Sequence, residues 1–175
     1  TAIMEGKDNA AADKVAVNFV FTDLLVTAVK GKSVFVTDGN EGMQFYGTAD
    51  YTFVVGDKIS GTLAGDLYLY GGMTEIANVD YSNVTVSSSG NELVPTALTV
   101  ENIANNSGHL VYENMLVTLE NVFFQAETLT SKNVTIAGAE ATIVLRDNFN
   151  VLTDAIFDTT KPYNLKGVVA HYNGT

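Results

Sequence analysis

The segment KSVFVTDGNEGMQFY, residues 32–46, constrains the fold more than any other part of the chain. Its first part alternates, with apolar Val34 and Val36 separated by one residue, which is the period-two pattern of a half-buried strand. Residues 38–42 combine Asp and Asn, which cap turns, with two glycines, which tolerate positive φ. Apolar and aromatic residues return at 43–46. The segment therefore predicts a β-hairpin.

A weaker copy of this hairpin lies about 100 residues further along the chain, where Val134 and Ile136 repeat the alternation. A later strand with a central glycine, Gly61, has a counterpart around Gly167. A glycine inside a strand predicts a tight bend or a close backbone approach. Each copy reads as long strand, hairpin, connector, glycine-containing strand and a turn into a last strand. This is the strand order of an OB fold, so we predict an all-β chain of two tandem OB-fold-like Greek-key barrels.

The boundary between the two units is expected at Pro95-Thr96, which gives one domain over residues 1–97 and a second over 98–175. The first would include an N-terminal lead-in and a connector. Little sequence follows the turn at 172–174, so we expect the second barrel to be incomplete at its C-terminus and to lack a fifth strand. Its open edge would then be covered by the first unit, a neighbouring chain or further residues of a longer protein.

Other segments carry weaker patterns. Residues 1–13 predict a frayed lead-in with about one helical turn, and 99–105 one or two helical turns. Residues 15–29 and 109–125 predict the two long strands. An interruption at Thr22-Asp23 indicates a bulge in the first of them. Residues 147–160 fit either a helix or a loop.

The charge balance argues against a nucleic-acid partner. Nine Lys and Arg residues stand against twenty Asp and Glu residues, giving a net charge of −11 that is scattered along the chain. Nucleic-acid modules normally carry a basic patch that neutralises phosphates, and an acidic surface repels them. Cysteine is absent, which excludes disulfides and thiolate zinc sites, and no apolar run reaches the length of a membrane span.

Two oxygen-rich turns are candidate cation sites. Asp38, Asn40 and Glu41 could hold Ca²⁺ or simply form a solvated turn, and the run at 147–150 has the same two interpretations. The histidines His109 and His171 are far apart in sequence and form a pair only if the fold unites them. No nucleophile motif, zinc signature or phosphate-binding loop is present. We therefore expect a protein that is not an enzyme and needs no metal or cofactor.

The candidate ligand-binding residues are aromatic. Phe35 and Tyr46 come from the predicted hairpin, and Tyr68 and Tyr70 alternate along the fourth strand. An OB fold builds its ligand face on the second and third strands and the loops beside them. These rings could stack on sugars or bases. The alternative is that they belong to the barrel core or to the contact between barrels.

The run from VTAVKGKSVFVTDGNEGMQFYG through VGDKISGTLAGDLYLYGG also resembles a known group of modules. It is similar to the OB-fold-like modules of surface lipoproteins from Gram-negative gut anaerobes, and to those of secreted nuclease-associated proteins. The resemblance covers about fifty residues. It implies an exported, non-catalytic module at the cell surface, and it implies no defined ligand. We expect contact with a membrane only through an N-terminal lipid anchor that is missing from this sequence, and a glycan or a protein as the partner. The alternative function is binding of single-stranded nucleic acid.

Overall fold

The computed structural model describes residues 1–47, 50–105 and 111–172, and it is mostly β. The all-β prediction is therefore confirmed. In chain order the elements are α1 Ala2–Asn9, β1 Val15–Lys30, β2 Ser33–Thr37, β3 Gly42–Tyr46, β4 Lys58–Tyr70, β5 Met73–Asp80, β6 Val84–Ser88, β7 Thr96–Leu98, α2 Val100–Ala104, β8 Leu116–Phe124, β9 Asn133–Ala137, β10 Thr142–Arg146 and β11 Tyr163–Val168.

The first five strands close into a barrel. Their order around it is β1-β2-β3-β5-β4, and β1 pairs with β4 to complete the circle, while β6 extends the sheet beyond β4. All pairings in the barrel are antiparallel except that of β3 with β5. The interior is filled by apolar side chains, including Phe19, Phe21 and Phe45, whose ring centroids lie 5.6–6.0 Å apart. Side chains of these strands point alternately into the barrel and outward, as the period-two pattern predicts.

A β-bulge interrupts β1 at the position that its sequence indicates. The register with β4 shifts between Phe21 and Leu24, and Asp23 has a positive φ of 53°. The Asp23 N–H donates to the Ser60 Oγ at 2.9 Å. β8 contains the same arrangement, because Asn121 has φ 56° and its N–H donates to the Asn164 Oδ1 at 3.1 Å. The two long strands therefore share a bulge that bends each of them.

The N-terminal lead-in is more regular than predicted. α1 runs for eight residues, and the Thr1 side chain caps it by accepting a hydrogen bond from the Met4 N–H. Ile3 is fully buried in the barrel core, which explains why the segment is ordered. α2 also begins after a threonine cap, Thr99, and buries Val100. Tertiary burial rather than helix propensity sets the length of α1, because the three alanines at 10–12 lie outside it.

The second unit is a five-strand sheet with the order β10-β9-β8-β11, in which β7 pairs parallel with β8. Its core packs β8 and β9 against the loop residue Phe157, whose ring stacks on Phe124 at 3.7 Å. In the described residues β10 pairs with no strand other than β9, and no strand follows β11, so the sheet is open there. Whether this sheet corresponds to an OB barrel that lacks its fifth strand stays a prediction. α2 lies beside β10, and the Glu101 Oε1 accepts from the Glu140 N–H at 2.9 Å.

Two segments of the second unit differ from the predictions. The strand expected over 109–125 begins only at Leu116, because residues 111–114 form a helical turn that leads into it, and 109–110 lie outside the described residues. Residues 147–160 form turns and bends. Of the two predicted alternatives for this segment, a helix or a loop, the loop is therefore correct. Asp147 holds the start of this loop by accepting hydrogen bonds from the Val151 and Leu152 N–H groups.

A buried polar contact joins the two units at Thr74 in β5. The Asn114 Nδ2 donates to the Thr74 carbonyl oxygen at 3.0 Å, and the Glu113 Oε2 accepts from the Thr74 N–H at 3.3 Å. Gly42 completes the contact, since a Cβ at this position would lie 2.5 Å from the backbone carbon of Asn114. The sequence predicted Gly42 as a turn residue of positive φ. It is instead the first residue of β3, and its lack of a side chain lets the second unit approach.

Replacing Glu113 with glutamine should stabilise the protein relative to wild type as the pH rises from about 5 to about 8. Burial raises the pKa of Glu113 above its ordinary 4.5, although the hydrogen bonds from Thr74 and the charges of Lys7 and His171 oppose this. The folded state therefore holds the proton more tightly than the unfolded state. The stabilisation that protonated Glu113 gives the wild-type protein is complete below about pH 4.5. It is lost as the pH rises past the folded-state pKa.

Urea unfolding of both proteins across this pH range measures the effect. The difference between their free energies of unfolding should move steadily in favour of Glu113→Gln. A difference that stays constant, or moves the other way, would show that the carboxylate is ionised at no cost in the folded protein.

Candidate functional site

The outer face of β3, β5 and β4 carries the residues that best form a site. Pairing places Gln44, Glu75 and Tyr68 in one row across these three strands. Because side chains alternate along a strand, the neighbours Phe45 and Ile76 point into the barrel core while this row points outward. We use the name tyrosine face for Tyr46, Tyr68, Tyr70 and Tyr172 together with Glu75 and Lys14.

Glu75 lies at the centre of the tyrosine face and is only 3% exposed although its strand position faces outward. Burial raises its pKa, while a hydrogen bond from Tyr68 and the charge of Lys14 act in the opposite direction. The Lys14 Nζ lies 4.8 Å from the centroid of the Tyr68 ring, within the range of a cation–π interaction. Burial, then the hydrogen bond to Glu75, raises the pKa of Tyr68. These contacts fix the Tyr68 ring, so its position is preorganised.

Three tyrosines of this face are open to solvent. Tyr46, Tyr70 and Tyr172 are 42%, 48% and 53% exposed. The Tyr70 ring centroid lies 6.2 Å from that of Tyr68 and 5.6 Å from that of Tyr172. The hydrogen bond with Tyr172 raises the pKa of Tyr70, and the nearby Tyr46 also contributes. The rings of Tyr68, Tyr70 and Tyr172 thus contact one another in a line, and Tyr46 lies on the same outer face of the sheet.

The structure brings together three of the four aromatic residues that the sequence proposed. Tyr46, Tyr68 and Tyr70 share the tyrosine face. Phe35 lies in the same row of residues, opposite Gln44 on β2. Its ring is half-buried, however, with its centroid 6.5 Å from that of Phe149 in the loop after β10. Phe35 therefore belongs to the contact between the two units, which is the alternative that the sequence left open for it.

The sequence missed Glu75, Lys14 and Tyr172. Glu75 had a usable signal, since the alternation in Met73–Asp80 puts it on the face opposite Ile76. Lys14 gave none, because it precedes β1 and reaches Tyr68 only through the pairing of β1 with β4. Tyr172 follows the last strand, and its contact with Tyr70 depends on how the two units meet.

The oxygen-rich turns have structural roles. The Asp38 Oδ1 accepts from the Asn40 and Glu41 N–H groups at 2.9 Å, which is an ordinary turn cap. Glu41 forms a salt bridge with the Lys7 Nζ at 2.6 Å and so ties α1 to the hairpin. In the described residues no group of three or more His, Asp or Glu side chains could hold a metal ion. His109 lies outside those residues, so its proposed pairing with His171 has no structural description.

No protein-family model, curated protein or solved structure matches this chain. In the described part of the chain, neither helix has the length and apolar character needed to cross a membrane.

Proposed function

We propose that this chain is a non-catalytic binding module whose tyrosine face recognises a neutral glycan. The observation that carries the proposal is the contact of the exposed Tyr70 and Tyr172 rings beside a preorganised Tyr68, with exposed Tyr46 on the same face of the sheet. An aromatic ring offers an apolar face, and a tyrosine adds a hydroxyl that needs a polar partner. A sugar offers the complementary pattern, with apolar ring faces and hydroxyl edges.

The polar groups around the rings favour a glycan over an apolar protein surface. Asp66 lies in the row of Tyr46, and its Oδ2 accepts from the Asn78 Nδ2 at 2.7 Å at the rim of the face. The Asp66 carboxylate can accept hydrogen bonds from sugar hydroxyls, and the exposed Asn78 amide can donate and accept them. Gln44 and Glu75 lie between the rings but are buried, so they fix the face rather than contact a sugar. The cores of protein interfaces are instead depleted of charged residues.

The architecture in which we place this face is a tandem pair of OB-fold-like units, over residues 1–97 and 98–175. The closed barrel of five strands supports this placement, because an OB fold is a five-stranded Greek-key barrel. The shared bulges at Asp23 and Asn121, and the threonine caps of α1 and α2, support a repeated unit. The resemblance to surface lipoprotein modules supports export to the cell surface. Protease treatment of intact producing cells should then digest the protein, whereas full protection would argue for an internal location.

Isothermal titration with a panel of neutral oligosaccharides tests the glycan proposal. Tyr70→Ala and Tyr46→Ala should each weaken binding by about tenfold to a hundredfold, taking ring stacking to contribute ~1–3 kcal/mol as it does for bases. Tyr70→Phe keeps the ring and should retain most of the affinity. Ile156→Ala, at an 80% exposed apolar residue of the second unit, is the matched control and should bind like wild type. Binding that is unchanged in both alanine variants would refute this site.

Single-stranded DNA should not bind in a saturable manner below about 10 µM, even at low salt, where attraction to phosphates is least screened. The net charge of −11 opposes a polyanion, and the Asp66 carboxylate that contributes to it lies at the tyrosine face. A fluorescence anisotropy titration with an oligonucleotide measures this. Tight binding that weakens steeply with added salt would favour the nucleic-acid alternative over the glycan.

A further inference from the structure

A second aromatic surface lies in a cleft of about 340 Å³ at the end of the barrel where β3 and β5 finish. The cleft shares no residue with the tyrosine face. Its floor is formed by Phe53 and Tyr81, which are 4% and 7% exposed, and Tyr51 lies beside them. Solvent-exposed polar residues form the rim: Asp50, Thr52, Asp80 and Ser82.

The three rings are held in a fixed arrangement. Tyr51 stacks on Phe53 with centroids 5.0 Å apart and an angle of 19° between the rings. Tyr81 stands almost perpendicular to both, at 5.8 Å from Tyr51 and 5.2 Å from Phe53. The Tyr51 hydroxyl donates to the Gly31 carbonyl oxygen at 3.0 Å, which fixes that ring to the turn between β1 and β2. The rings therefore form a preorganised aromatic corner.

One polar group at this corner has no protein partner. The Tyr81 hydroxyl is buried and makes no hydrogen bond within the described residues. Burial raises the pKa of Tyr81, so this group stays a neutral hydroxyl at physiological pH. The hydroxyl is closed to solvent, so Tyr81 contributes its ring rather than a hydrogen bond to the cleft.

The charge at the rim is negative and uncompensated. Asp50 and Asp80 are both exposed, and neither forms a salt bridge in the described part of the chain. The eight residues that line the cleft include no Lys, Arg or His. The Asp80 Oδ1 accepts a hydrogen bond from the Ser82 N–H at 2.9 Å, which fixes this carboxylate at the rim. The cleft thus combines aromatic rings with two carboxylates and no cation.

We propose that this cleft binds a small organic ammonium group, as carried by choline or by a methylated lysine side chain. Ring faces attract weakly hydrated cations, and quaternary ammonium groups are the best fitted to aromatic walls. The two aspartates add an attraction that a neutral ligand would not feel, and the net charge of −11 draws cations toward the protein. A hard cation such as Ca²⁺ instead requires six to eight oxygen ligands, which aromatic walls do not supply.

Titration of the wild-type protein with choline chloride tests this proposal, with saturation-transfer NMR of the choline methyl protons as the readout. The double variant Asp50→Asn/Asp80→Asn keeps the shape of the rim and should weaken choline binding by about tenfold or more. Asp8→Asn/Asp154→Asn changes the net charge by the same amount at exposed residues elsewhere and should bind like wild type. Tyr51→Leu, with its fold checked by thermal melting, should also weaken binding.

Three further ligands separate the possible outcomes. The neutral isostere 3,3-dimethylbutanol should not bind, because it lacks the charge. Phosphocholine distinguishes the possible sources of the ammonium group. If phosphocholine binds more weakly than choline, the ligand is a free ammonium compound or a lysine side chain. If it binds equally or more tightly, the ligand is a lipid headgroup. The proposal is overturned if choline does not saturate, if 3,3-dimethylbutanol binds equally well, or if CaCl₂ displaces choline at lower concentration. Because the tyrosine face is separate, any of these results leaves the glycan proposal unaffected.

Discussion

Replacing Gly61 with alanine is expected to lower the free energy of unfolding by about 3–5 kcal/mol, which is exceptional for a single methyl group. Gly61 lies in the middle of β4 and has φ 145°, a conformation that residues with a side chain rarely adopt. A Cβ at this position would also overlap with the carbonyl oxygen of Asn83, which accepts a hydrogen bond from the Thr62 N–H at 3.1 Å. The backbone that would have to move is therefore part of the structure that holds β6 against β4.

Gly167 provides a matched control for this prediction. It also lies within a strand, β11, but a Cβ there would meet nothing within 4 Å and its backbone does not have a positive φ. Gly167→Ala should change the free energy of unfolding by less than about 1 kcal/mol. Urea unfolding followed by circular dichroism measures both variants. Equal effects at the two positions would mean that Asn83 does not approach Gly61 as closely as described.

Replacing Asn114 with alanine is expected to cost about 2–4 kcal/mol and to weaken the contact between the two units. Asn114 is fully buried, and its Nδ2 donates to the Thr74 carbonyl oxygen. Without the amide, the buried Thr74 carbonyl oxygen loses this hydrogen-bond partner. Thr74 directly precedes Glu75, where the pairing of β5 with β3 begins. Asn114 also has φ 65°, a left-handed conformation that asparagine tolerates better than alanine.

A variant at Asn78 is the control that separates the effect of burying the hydrogen bond from the effect of replacing an asparagine in a left-handed conformation. It has a similar left-handed φ of 50°, and its Nδ2 also donates a hydrogen bond, to the Asp66 Oδ2, but the pair is exposed. Asn78→Ala should therefore cost only about 1 kcal/mol, because water replaces the lost partner. The comparison uses thermal and urea unfolding of both variants. A cost at Asn78 that equals the cost at Asn114 would show that the contact at Thr74 does not stabilise the protein.

Local patterns were sufficient to predict the first hairpin, the turn after β4 and the bulge in β1, although not the start of β8. The alternation around Val34 and Val36 matches β2, whose two valines are fully buried. The predicted turn into the last strand of the first unit is Gly71-Gly72, which joins β4 to β5 with φ values of 59° and 97°, as a tight hairpin requires. The interruption at Thr22-Asp23 is a bulge. Each of these features is decided by residues within a few positions of one another, so a single sequence contains the information.

Long-range contacts could not be predicted in the same way. Gly42 looks like a turn glycine, and only the approach of Asn114 shows why a side chain is excluded there. Phe35 resembled the other candidate aromatic residues, but the loop that contains Phe149 covers it. Tyr172 joins the tyrosine face through the contact between units. These assignments depend on which distant segments meet, and neither residue type nor periodicity specifies that.

The most direct test of the tyrosine face is an NMR titration of protein carrying ¹³C-labelled tyrosine rings. The chain has eight tyrosines, few enough to assign by single Tyr→Phe variants. A neutral oligosaccharide that binds in the titration panel should shift the ring signals of Tyr46, Tyr68, Tyr70 and Tyr172. The signals of Tyr51 and Tyr81, in the separate cleft, should stay unchanged. Shifts confined to tyrosines outside the tyrosine face, or saturating glycan binding with no shift at Tyr70, would contradict the account.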